Sequence, residues 1–492
     1  REQWIHLLLT YDGSSQAEGL RIYMNGKEIP TEVDHDNLFK SIVVTGWETI
    51  PGIQIGAAWR GLGIKDAAID EVSFFERELS PLEVLQIADA GAFQKNKPSQ
   101  TPEWQQYFQN NYSLRYQKGL TQLQSARATY YKAVDTVQEV MVIREMQRPR
   151  QAYVLTRGQY DAHGEPVGPG TPGGILAMPE NIPANRLGLA EWLLHDDNPL
   201  TARVVVNRLW QQVFGKGLVV TTEDFGNQGA LPTHPELLDW LALHFRDSGW
   251  DVKAFLKMLV MSSTYRQSSV ASDEMREHDP QNAYLGRGPS GRLSAEMIRD
   301  NALSAAGLLV SKIGGPSVFP YQPEGLWRVN GAAYQQGKGE DLYRRSLYTV
   351  WKRTVPHPTQ ATFDAPSRSG CTVRRQKTAT SLQSLVLLND PTFVEAARVM
   401  GQQMIKMPDA TAAISSIFEK LTGRSVQPGE LTLLLRQFAE EKKTFEQMPA
   451  KTKGWLSTGE YPLDKQSPAA DLAAYAVVAS TILNTDAALV KR

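Results

Sequence analysis

The period of the apolar pattern changes along this chain, and no single layer of structure accommodates both periods. Near the start, Leu20-Arg21-Ile22-Tyr23-Met24 alternates apolar and polar residues, the two-residue repeat of a half-buried strand. It stops at Asn25-Gly26, the pair that most readily supplies the two left-handed residues of a tight hairpin turn. Trp4 to Tyr11, ended by Asp12-Gly13, reads as a neighbouring strand, and Gly52–Gly56 and Ala68–Phe75 as further strands. Ser80-Pro81-Leu82-Glu83 is a capping box with proline at the first helical position, so a short helix starts there and Gly91 ends it.

From about residue 98 to 147 the spacing turns helical, with Leu114, Leu120, Leu123, Val134 and Val137 among Gln, Arg and Lys. A connecting helical hairpin accounts for this, because the heptads are not sustained as a coiled coil requires. Tyr153-Val154-Leu155 predicts a short strand, and the Gly/Pro-rich run Gly164 to Gly170 predicts irregular backbone. From 185 onward most segments are helical. Asn198-Pro199 opens a helix that stops at Gly215, and Thr233-His234-Pro235-Glu236 opens one that stops at Gly249. Asp251 caps the next, and Asp390-Pro391 opens another after a helix over Ala379–Leu388. The expected fold class is multidomain: a partial β-sandwich at 1–92, a helical connector at 93–148, and a mainly α-helical domain at 149–492. The longest weakly polar stretch, Ala473–Leu483, is about half of the ~20 residues a membrane span needs, so no span is expected.

The familiar catalytic signatures are missing: no G-x-S-x-G, H-E-x-x-H, P-loop or G-x-G-x-x-G occurs. One cysteine, Cys371, excludes an internal disulfide and a four-cysteine metal site, and there is no C-x-x-C-H for c-type haem. A lone thiol with no histidine nearer in sequence than His357 is expected to be a small buried hydrophobe rather than a nucleophile. His195-Asp196-Asp197 is read as exposed polar residues before a helix rather than as a metal site. Arg203, Asn207 and Gln211 recur at helical spacing as a solvated face, and Trp210 and Trp240 sit on apolar faces as core residues.

One segment departs from the average of a chain whose net charge is −1. Arg344 to Lys377 holds eight basic residues, Arg344, Arg345, Lys352, Arg353, Arg368, Arg374, Arg375 and Lys377, against the single acid Asp364. Tyr348, Trp351 and Phe363 are interleaved. Guanidinium groups recognise carboxylate, sulfate and phosphate through paired hydrogen bonds, and flat rings stack on sugars. Either these arginines pair with acids elsewhere, such as Glu191, Glu236, Glu296 or Asp300, or some of them converge on an anion. Nucleic acid is not expected, because the rest of the chain is not basic.

Two stretches carry a family resemblance. Trp4-Ile5-His6, Thr10-Tyr11-Asp12-Gly13, Leu20 to Tyr23, Asn25-Gly26-Lys27, Ile55-Gly56 and Ala68-Ile69-Asp70-Glu71-Val72 through Leu79-Ser80-Pro81 resemble the C-terminal half of a laminin-G-like, concanavalin-type jelly roll. That resemblance implies carbohydrate or protein binding, often with calcium, and makes Asp70 a calcium candidate. Asn185-Arg186-Leu187-Gly188, Asn198-Pro199-Leu200-Thr201-Ala202-Arg203, Glu223-Asp224-Phe225-Gly226, His234-Pro235-Glu236-Leu237-Leu238-Asp239-Trp240, Phe363-Asp364-Ala365-Pro366 and Leu388-Asn389-Asp390-Pro391 are similar to a second family. It is the large C-terminal domain of unknown function of planctomycete-type secreted proteins. The sequence departs from that family's pattern where Arg368 is followed by Ser369-Gly370, at Thr378-Ala379-Thr380-Ser381-Leu382-Gln383, and at Asp486-Ala487.

The resemblance implies a periplasmic or extracellular protein with upstream domains, a cytochrome-c-like haem domain among them. The resulting expectation is a glycan-associated protein. The sandwich and Arg344, Arg345, Arg353, Arg368, Arg374 and Arg375, with Trp351, would hold a sulfated or uronic polysaccharide. The alternatives are a redox or hydrolytic enzyme acting with the haem domain, and a scaffold for other domains.

Overall fold

A computed structural model describes residues 3–34, 36, 38, 55–56, 63–64, 67–96, 101–138, 140–146 and 149–491. Its contacts divide the chain into two units, Arg1–Ala152 and Tyr153–Arg492.

In the first unit, β1 (Leu7–Tyr11), β2 (Leu20–Met24) and β3 (Lys27–Glu28) form an antiparallel sheet in that order. Leu7 lies opposite Met24 and Tyr11 opposite Leu20. Asn25 and Gly26 both have positive φ, 51° and 78°, as the tight β2–β3 turn requires. One face of the sheet is covered, with Leu8 and Tyr23 packed on Leu79 and Val84. The other presents Leu7, Leu9, Tyr11, Leu20 and Met24, all exposed. Ala68–Phe75, expected as a strand, forms no ladder. Ile69, Val72, Phe74 and Phe75 stay exposed, and among the described residues no strand pairs with them. Of the expected strand Gly52–Gly56, residues 52–54 lie outside the described residues, and Ile55-Gly56 is a bend.

The helix α1 (Pro81–Ala88) has the capping box its sequence predicts, but it closes on Asp89. Gly91 instead opens the one-turn helix α2 (Ala92–Lys95). Helices α3 (Pro102–Tyr112) and α4 (Leu114–Asp135) follow, joined at Ser113, whose hydroxyl accepts from the Tyr116 N–H. The helical pattern ends at Asp135, and residues 140–146 form no helix or strand and are exposed.

The second unit starts with a two-stranded ribbon, β4 (Ala152–Leu155) and β5 (His163–Val167), on which the Tyr153 and His163 rings stack. The Gly/Pro run was expected to be irregular, yet its first half is β5. A proline is compatible with an edge strand whose N–H positions face solvent. Then come α5 (Arg186–Leu193), α6 (Thr201–Phe214), α7 (Pro235–Asp247), α8 (Val252–Met261), α9 (Ser263–Arg266) and α10 (Asp273–His278). Asn198 Oδ1 accepts from the Leu200 and Thr201 N–H groups, and Gly215 ends α6 in the left-handed conformation at φ 85°. Asp251 caps α8 as predicted. At α7 no side chain makes the cap, and the Thr233 hydroxyl turns to the Leu218 carbonyl instead.

Asn207, expected on a solvated face, is fully buried. Its amide bridges the Val219 N–H and carbonyl at 2.9 and 3.0 Å and pins the chain beyond α6. Trp210 is core, but Trp240 is 54% exposed, stacked flat on His244 one helical turn on.

The main core is built from β6 (Gly291–Arg292), α11 (Ala295–Ala305), α12 (Pro358–Thr362), α13 (Ser381–Asn389), α14 (Pro391–Met404) and α15 (Ala410–Thr422). The chain finishes with α16 (Pro428–Gln447), α17 (Pro449–Leu456), α18 (Ala469–Leu483), α19 (Asp486–Leu489) and β7 (Val490–Lys491). Helices α14 and α18 lie at its centre and are buried nearly all round. That is what the uniformly apolar run of α18 requires. Among the described residues no helix is long and apolar enough to cross a membrane. Where α14 does carry polar residues, they hold a loop. Glu395 accepts from the Tyr343 hydroxyl and the Tyr461 N–H, Arg398 donates to the Thr458 and Tyr461 carbonyls, and Gln402 accepts from the Asp464 N–H.

Candidate anion-binding groove

The basic segment is irregular for most of its length, and the fold fixes it at two places. The first is Arg344. It is 4% exposed, and its guanidinium donates to the carbonyls of Lys312, Gly314 and Pro316 while lying 3.8 Å from the Tyr348 ring. Three of its N–H groups are spent on carbonyls and its Nε is buried without a partner, so the guanidinium is closed off from solvent and Arg344 belongs to the fold rather than to the anion-binding set. The second is a clamp at the root of the following loop. Asp364, at φ 61°, accepts from the Thr378 N–H at 2.7 Å and from its hydroxyl. Buried Gln383 ties the clamp to the core, donating to the Thr362 carbonyl and the Thr378 hydroxyl and accepting from Arg292. Residues 365–377 are thereby held as a loop with a fixed base and an exposed tip.

On that tip lies an open groove of about 450 Å³, lined by Arg368, Cys371 and Arg375 with small residues between them and no acid. Arg368 is exposed at φ 59°, and its guanidinium lies 4.8 Å from the Trp351 ring, whose indole N–H donates to the Ser367 carbonyl. Stacking on the ring leaves the edge donors of the guanidinium outward.

The remaining arginines divide by their partners. Arg353 is exposed and has no partner among the described residues. Arg374 meets Glu223 at 3.4 Å with both side chains about half exposed, a contact of the kind worth little. Arg345 approaches Asp300 only to 3.9 Å. Arg375 is held more firmly, with Nη1 donating to both Glu296 oxygens at 3.0 and 2.8 Å. Burial would raise the Glu296 carboxyl, but Arg375 overcomes this and holds it below the usual range.

Cys371, expected to be buried, is exposed on the groove, because the chain around it is the loop tip rather than a packed element. Asp70 is exposed, and its Oδ1 accepts from the Glu71 N–H. Among the described residues no group of three His, Cys, Asp or Glu stands together to hold a metal. Asp70 brings one carboxylate toward the six to eight oxygens that calcium takes. His195 accepts from the Asp197 N–H in an exposed turn.

A second, much narrower cleft, of about 20 Å³, lies on the other side of Arg375. Arg292 and Lys377 line it. Lys377 fell within the basic run of the sequence, but Arg292 was missed, since it lies far from that run in sequence and meets its base through Gln383.

The fold defines a protein with a concanavalin-like sheet region followed by a mainly helical unit, and residues 1–85 match the family described as the concanavalin A-like lectin/glucanases superfamily. Residues 185–438, just over half of the chain, match the family described as protein of unknown function (DUF1553). The chain belongs to that family. No curated protein and no solved structure matches it.

Proposed function

We propose that this chain binds anionic polysaccharide through the loop 365–377 and the exposed arginines around it, in an extracytoplasmic setting. The setting rests on the family resemblance. The observation that carries the binding is the acid-free groove in which Arg368 lies on Trp351, with Arg353 exposed and unpaired nearby in sequence. A charged edge beside a flat apolar face suits a sugar ring bearing a sulfate or carboxylate. The likeness of residues 1–85 to a lectin and glucanase superfamily supports a carbohydrate role independently of this loop.

Titration of the chain with sulfated and uronic oligosaccharides at low salt tests the reading. Binding is expected, weakening at least tenfold in Arg368→Gln and in Arg353→Gln with the melting temperature unchanged. Affinity falls as salt rises, since exposed charge contacts are screened. Absence of binding to every anionic glycan at low salt overturns it.

A further inference from the structure

Building on that reading, we propose that the cleft lined by Arg292 and Lys377 is a second oxyanion subsite. This face of the helical unit would then take a polymer with anionic groups on successive sugars rather than an isolated anion. The groove and the cleft share one wall, Arg375.

Asp364, the one acid that lines the cleft, accepts from Thr378, and Arg375 is paired with Glu296 outside it. Its unpaired cations, Arg292 and Lys377, outnumber that acid. Arg292 donates to the uncharged Gln383, and Lys377 has no partner among the described residues. A further ammonium is held nearby, because the β6–β7 ladder sets Lys491 opposite Gly291, and a Cβ on Gly291 would stand 3.6 Å from Lys377 Nζ. Partial burial first, and then repulsion by Lys491, holds the Lys377 ammonium below the usual lysine range. Lys491 itself donates to the Tyr265 hydroxyl rather than to an acid. Cations brought together by the backbone in excess of their counter-charge repel one another, and an oxyanion seated among them relieves that repulsion. Phe363 adds an apolar wall to the cleft, as Trp351 does beside the groove.

The test is calorimetry of the full chain with inorganic sulfate and with sulfated di-, tetra- and hexasaccharides. Unsulfated oligouronates of matched length separate sulfate ester from carboxylate as the anion. Affinity is expected to rise at least tenfold from disaccharide to hexasaccharide. Lys377→Gln and Arg292→Gln should each erase that gain while changing the disaccharide affinity less than twofold, whereas Arg368→Gln weakens every length. Lys377→Gln carries the test alone if loss of the Gln383 bond unfolds the Arg292 variant. As a second readout, acylation of Lys377, followed by peptide mass mapping, should slow several-fold in the presence of hexasaccharide.

Binding with no length dependence, or a length gain that survives both variants, overturns the second subsite and leaves the groove standing. Absence of binding at any length overturns both. Preference for a single-stranded oligonucleotide of equal charge over the hexasaccharide overturns the assignment to a glycan.

Discussion

Arg344 and Arg353 come from the same basic run, and the structure gives them opposite tasks. Arg344 is closed over three carbonyls and a ring, while Arg353 points a free guanidinium at solvent. Arg344→Ala is expected to lower the stability of the helical unit by about 2–4 kcal/mol, because it removes a buried side chain and the donors of three carbonyls. Arg353→Ala should change stability by less than about 0.5 kcal/mol while weakening glycan binding. Chemical denaturation of both variants separates the two, and equal stability losses would show that the division is wrong. The excess of charge in this segment was legible from the residues alone. Which arginine serves the fold was not, because the deciding partners are carbonyls of Lys312, Gly314 and Pro316, and a carbonyl leaves no mark on residue type. Asn207 was misread for the same reason, its amide being spent on the backbone of Val219.

The capping box of α1 shows the opposite case, a device written in four consecutive residues. Glu83 accepts from the Ser80 N–H at 2.8 Å, pairs with Arg77 at 2.6 Å, and accepts from Asn111 across to α3. Burial would raise its carboxyl, but the bonds from Arg77, Ser80 and Asn111 prevail and bring it down to about 2. The folded state thus binds this proton more weakly than the unfolded chain, where a glutamate titrates near 4.3. The stabilisation is complete above that value and is lost as pH falls through about 2. Glu83→Gln is expected to cost about 1 kcal/mol at neutral pH and to flatten the acid limb of the first unit's melting curve. Melts at pH 7 and pH 2 check this, and a variant that melts with wild type at pH 7 would contradict it. Helix starts of this local kind, Asp251 and Asp390 among them, were legible because cap and helix are neighbours in sequence. The strand expected over Ala68–Phe75 was not reliable, since a strand exists only where another segment pairs with it. Trp240 failed as a core residue because an apolar helical face states what should be covered, not what covers it.

At the scale of the whole chain, the irregular run 140–146 lies between α4 and β4 with its side chains exposed. Trypsin is expected to cut first at Arg144, where an exposed backbone without ladder or helix fits a protease cleft. Limited proteolysis followed by mass spectrometry should yield fragments split near that residue. Early cleavage inside α14 or α18 would contradict the placement of the core. The clamp of Asp364 on Thr378 has a consequence for how such a protein diversifies. Because the loop is closed at its root, the entropy of ordering the tip is charged to two residues that never touch a ligand, and extra tip residues add only slowly to it. Ser367 through Thr372 are therefore free to vary, by substitution or insertion, at little cost to folding. Selectivity for one anionic glycan over another can drift in this loop while the helices beneath it stay as they are.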